Sequence, residues 1–68
     1  MSLKDKALRV IEGIGLLWDN SDKSVKTADE MMGDIYKFSH IAIGDCEHKD
    51  WEAEMDKMYK KLKKGKII

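Results

Sequence analysis

One cysteine and no proline stand among 68 residues. A lone thiol forms no internal disulfide, so the chain is not a stapled secreted miniprotein, and a reducing, cytoplasmic setting is expected. Long apolar runs are also missing. The longest, Ile14 to Trp18, is interrupted by Gly15 and falls far short of the roughly 20 residues that span a membrane. Net charge is missing as well: 13 Lys and Arg face 13 Asp and Glu. A zero balance removes the usual case for a dedicated nucleic-acid or membrane binder, though not for local patches. The start, Met1-Ser2-Leu3-Lys4-Asp5-Lys6, runs into amphipathic sequence, so no targeting leader is expected. No strong catalytic, metal or cofactor motif is present. No internal repeat occurs, and the lysine-rich end is the one biased segment.

What is there is apolar periodicity. With 43% hydrophobic and 38% charged residues, residues 1–68 read as one globular domain. From Leu3 the apolar positions fall at 3, 7, 10, 14 and 17, a spacing that keeps one helical face inward. Ser2 and Asp5 form a capping pair at its start. A second row at Leu8, Ile11 and Trp18 widens this stripe beyond what one neighbouring helix covers. Gly13 and Gly15 flank Ile14 and point to a close helix approach or a bend.

Asn20 to Ser24 collects turn formers and reads as a loop. Thr27-Ala28-Asp29-Glu30 has the form of a capping box and opens a second helix. Its inward row is Ala28, Met31, Ile35, Phe38 and Ala42, widened by Met32, Tyr36 and Ile43, and Gly44 ends it. Asp45 is the expected cap of a third helix with the row Trp51, Met55, Met58 and Leu62. Gly65 ends that helix, and Ile67 folds back on it in a Schellman-type contact. With no β-type alternation, the fold class is all-α: three amphipathic helices at about 3–19, 28–43 and 46–64, packed as a small antiparallel bundle. Chains below roughly 70–80 residues seldom hold a firm core alone, so completion by self-association is expected.

The zero charge is a cancellation. Residues 1–26 carry five positive and four negative groups, 27–56 carry two and nine, and 57–68 carry six and none. Acids early and lysines late in the third helix suit its macrodipole. An antiparallel return beside the second helix sets those lysines near Asp29, Glu30 and Asp34.

Ligand chemistry gathers only around the second turn. His40, Cys46 and His48 are the candidate metal ligands, but their spacing matches no standard zinc pattern. On a helix Cys46 and His48 point about 200° apart, so they make no thiol–imidazole pair. No catalytic residue and no cofactor are expected. Lys60, Lys61 and Lys64 lie in the one basic stretch and are the candidates for phosphate contact. That stretch lacks arginine and the Asn or Gln side chains that read bases, so specific nucleic-acid recognition is not expected.

The expected function is therefore a non-enzymatic helical interaction or regulatory module that forms a homodimer or higher assembly. Its partner-binding residues are Leu8, Ile11, Trp18, Met32 and Tyr36, and a second protein is the other expected partner. Two alternatives stand beside it: a nucleic-acid-associated regulator using the lysine end, and a metal-stabilised fold around the second turn. Small regulatory proteins of this form are common in bacteria and their viruses, which sets the expected source.

Overall fold

The apolar rows close into three helices, and capping side chains decide where two of them begin. The computed structural model of the protein describes residues 2–44 and 49–67. It contains α1 (Leu3–Asp19), α2 (Val25–Ala42) and α3 (Lys49–Lys64). At the start of α1 the Ser2 hydroxyl accepts from the Asp5 amide at 3.1 Å. This satisfies one of the donors that a helix start leaves without a partner.

The start of α2 differs from the Thr27 capping box expected from sequence. Ser24 is the cap, accepting from the Thr27 amide at 3.2 Å, so α2 begins three residues earlier than expected and Val25 becomes helical. A relay holds this start in place. The Ser24 hydroxyl donates to Thr27 Oγ1 at 3.0 Å, which in turn donates to the Asp22 carboxylate at 2.9 Å. Asp22 also accepts from the Ser24 amide at 3.0 Å. These hydrogen bonds, led by the one from the Ser24 backbone, hold the Asp22 carboxyl below its ordinary value.

Helix ends follow the glycine expectation with one change. Gly44 takes φ +79° just past α2, in the left-handed region that glycine enters at no steric cost. Beyond α3 the Ile67 amide donates to the Leu62 carbonyl at 2.9 Å and the Lys66 amide to the Lys63 carbonyl at 3.1 Å, which is a Schellman motif. Its left-handed residue is Lys66 (φ 58°) rather than Gly65. The expected cap Asp45 and the expected first turn of the third helix lie outside the described residues.

The five-residue loop from Asn20 to Ser24 returns α2 antiparallel to α1. These two helices share the largest interface, and α3 packs on both. The direction of α3 follows from its contacts. Glu54 pairs with Lys37 at 3.1 Å, and Lys61 lies farther along, beside Asp34, so α3 runs antiparallel to α2. Asp56 pairs with Lys6 of α1, while Ile67 lies beside Arg9, Glu12 and Leu16. The core holds Ala7, Val10, Ile14, Phe38, Ile41, Ala42, Met55 and Leu62. Leu3, which the first periodic row includes, is exposed, while Ile41, outside the second row, is buried.

The ion pairs correct one expectation. Among the described residues, Asp29 and Glu30 hold no lysine of α3. Instead the acidic half of α3 is matched, through Glu54 and Asp56, to Lys37 and Lys6. Of the three acids expected beside the lysines, Asp34 alone shares a shallow groove with Lys57 and Lys61.

Cα extents of 32 × 24 × 16 Å make the thin dimension two helix layers deep, since a Cα cylinder about 4.6 Å across plus one interaxial step of about 8–10 Å nearly fills it. One layer is the α1/α2 pair. The other is α3, which covers one side of that pair.

Candidate interaction face

The α1/α2 layer carries an apolar face that α3 leaves uncovered and borders only at Tyr36. Val25, Met32, Tyr36 and Ile43 are 80, 68, 62 and 72% exposed. Their 7-4-7 spacing places all four within about 40° on α2, at 100° per residue. Across from them on α1 run Leu8, Ile11, Gly15 and Trp18. Leu8 and Gly15 are exposed, while Ile11 and Trp18 are half-buried.

Between the two rows lies an open groove of about 270 Å³, lined by Ile14, Gly15 and Trp18 from α1 and by Ala28, Met31, Met32 and Ile35 from α2. Among the described residues no charged side chain lines it. Loop hydrogen bonds fix its end: Ser21 Oγ donates to the Trp18 carbonyl at 2.8 Å, and Asn20 Nδ2 to the Leu16 carbonyl at 3.1 Å. With the Ser24 cap, these hold the last turn of α1 against the first turn of α2.

Gly15 forms part of the α1 wall. A Cβ built there meets nothing within 4 Å, so nothing among the described residues requires glycine. A helix-interior glycine nonetheless costs about 1 kcal/mol relative to alanine. Gly33 has equally open surroundings, but it lies about 100° around α2 from Met32, toward the charged flank of Lys26 and Lys37.

The five residues expected to bind a partner take different places. Trp18 and Met32 meet in the groove. Ile11 packs partly on the core. Leu8 lies at the far end, where it lines a surface dip with Asp5, Arg9 and Glu12. Tyr36 meets the His40 ring edge-on at 4.6 Å between centroids, and Trp51 of α3 at 6.3 Å. Sequence reasoning missed Val25 and, although it set Ile43 in the widening row with Met32 and Tyr36, did not count Ile43 among the partner-binding residues. The signal was there: Val25 lies seven residues before Met32 and Ile43 seven after Tyr36. Placing the helix start at residue 28 hid the first of these.

The other candidates lie elsewhere. His40 is half-buried beside Tyr36 and Trp51, 5.8 Å from the latter's ring centroid. Cys46 and His48 are outside the described residues, and among the described residues no group of three or more His, Cys, Asp or Glu is placed to hold a metal ion. Lys60, Lys61 and Lys64 are all exposed on α3. Along its edge facing α2, Asp34 is half-buried. Burial raises its carboxyl above the ordinary value; Lys37 and Lys61 oppose the rise, and Glu54 and Glu30 add to it. Among the described residues no helix is long and apolar enough to cross a membrane.

No family model, characterised protein or solved structure matches the chain.

Proposed function

We propose that this protein is a non-enzymatic helical interaction module that self-associates through the α1/α2 face and works as an assembled regulator or adaptor. The observation that carries this reading is the uncovered row Val25, Met32, Tyr36 and Ile43 beside an uncharged groove. Exposed apolar side chains gathered on one face, unlike scattered single ones, are the kind of surface through which proteins associate. A partner covering the row removes apolar surface at about 25 cal/mol per Å², which offsets the entropic cost of association that a weaker patch cannot meet. The single cysteine agrees with work in the cytoplasm.

Sedimentation equilibrium of the full chain across the micromolar range tests the reading. The wild-type chain is expected as a dimer or higher assembly. Val25→Asp with Met32→Asp is expected as a monomer that keeps its helical circular dichroism, since both side chains are exposed. A wild-type chain that stays monomeric at the highest concentration overturns the proposal.

A further inference from the structure

From residue 57 to residue 66 every exposed side chain is a lysine: Lys57, Lys60, Lys61, Lys63, Lys64 and Lys66. Between them Leu62 is buried, Met58 and Tyr59 are half-buried, and Gly65 has no side chain. At about 100° per residue, Lys57, Lys60, Lys61 and Lys64 fall within an arc of roughly 100° and along about 10 Å of α3. Among the described residues none of the six lysines takes part in an ion pair. The acids nearest to them are already engaged. Glu54 pairs with Lys37 and Asp56 with Lys6, and Asp34 is half-buried in the groove it shares with Lys57 and Lys61.

The helix itself offsets little of this charge. Its C-terminus carries about half an elementary negative charge, which matches less than one lysine. Like charges four residues apart, such as Lys57 with Lys61 and Lys60 with Lys64, weaken the helix that carries them. A partner suited to this face brings negative charge at the same density. Four lysines along about 10 Å give roughly one charge per 3.5 Å, and each strand of a duplex carries one phosphate per ~3.4 Å. A peptide reaches that density only where acidic residues follow one another without a break. A bilayer is the poorer fit, because none of the large exposed apolar side chains stands on α3 to enter it.

We infer that the lysine face of α3 is a second interaction surface, which binds the phosphate backbone of nucleic acid without reading its sequence. With no arginine, asparagine or glutamine in residues 57–66, it has no side chain for bidentate contact to a base edge in the usual pairings, so phosphate contacts carry the binding. Asp50 and Glu54, earlier on the same side of α3, confine the contact to about its last two turns. None of the lysines lines the α1/α2 groove, so the inference does not depend on self-association.

Fluorescence anisotropy of two labelled duplexes of unrelated sequence, titrated with the full chain at several salt concentrations, tests it. Both duplexes are expected to bind alike. With four phosphates contacted, the logarithm of the association constant falls against that of salt with a slope of about −3.6, or about 150-fold between ~50 and ~200 mM. Lys60→Gln with Lys64→Gln is expected to halve the slope to about −1.8. Lys4→Gln with Lys26→Gln removes the same charge from α1 and α2 and is expected to leave the slope unchanged. All four residues are exposed, so both variants keep the helical circular dichroism of the wild type. No binding of either duplex at about 100 μM protein in ~50 mM salt, or equal losses in the two variants, overturns the inference. Tighter binding to phosphatidylserine vesicles or to polyglutamate than to the duplexes overturns it as well. A chain that stays monomeric yet binds both duplexes overturns the proposed self-association and leaves this inference standing.

Discussion

The two sides of α2 both carry large apolar side chains and end differently. Toward α3, Phe38 and Ile41 are buried, and the rim closes with the Lys37–Glu54 pair at 3.1 Å. Away from α3, Val25, Met32 and Ile43 remain in solvent beside the uncharged groove, and Tyr36 is exposed at the margin where it meets Trp51 of α3. Three helices cover only one side of the two-helix layer, and the apolar row on the other side stays exposed.

The sharpest contrast between the sides comes from truncating one residue on each. Phe38→Ala opens a cavity on the closed side and is expected to cost about 3–5 kcal/mol, enough to unfold much of a chain this small. Ile43→Ser on the open side is expected to stay within about 0.5 kcal/mol in dilute protein. Urea unfolding at low protein concentration reads both; comparable losses at the two positions would mean that Ile43 is packed within the single chain.

Replacing the cap tests where the open face begins. Ser24→Ala removes the acceptor of the Thr27 amide and is expected to cost about 1 kcal/mol, while Glu30→Ala, the capping-box partner suggested by sequence, stays within about 0.5 kcal/mol. Amide exchange at Val25 to Ala28 should quicken in the first variant alone. The reverse order would return the helix start to Thr27 and remove Val25 from the face.

The smallest effect concerns the rim of the closed side. Burial raises the folded-state pKa of Asp34 above its unfolded value, so the ionised carboxyl disfavours folding above that folded pKa. The penalty fades as pH falls through the folded pKa and is gone below the ordinary value of 3.8. Asp34→Asn is accordingly expected to be more stable than wild type at neutral pH and equal to it in acid. A variant less stable than wild type at neutral pH would show that attraction from Lys37 and Lys61 outweighs burial.

How much of the molecule was legible in the sequence depends on which forces are local. The rows through Val10, Ile14, Phe38, Met55 and Leu62 repeat at helical spacing, and the helix class and most of the core come from that repeat. Ser2 is read as a cap because its partner lies three residues on. Ser24 has the same spacing to Thr27, but it stands among turn formers beside a second capping pattern, and its relay to Asp22 depends on the fold of the loop. Ile41 is buried only because α3 lies over that flank of α2, and the periodic row alone cannot place α3. The same holds for the charges. A tally of acids and lysines favours an antiparallel return, but side-chain reach decides that the ion pairs run from Lys37 and Lys6 to Glu54 and Asp56 of α3. For the candidate face, the widened stripe identified Trp18 and Met32, whereas Val25 joined it only with the earlier helix start at the Ser24 cap.

Fluorine NMR of the chain labelled with 5-fluorotryptophan tests the central claim most directly, because Trp18 lines the open groove, whereas Trp51 stands on α3 and touches the face only through Tyr36. The Trp51 ring packs against those of His40 and Tyr36. On dilution through the micromolar range the Trp18 resonance is expected to move as the face uncovers, while that of Trp51 shifts far less. A Trp18 resonance that holds its position at every concentration would contradict the account.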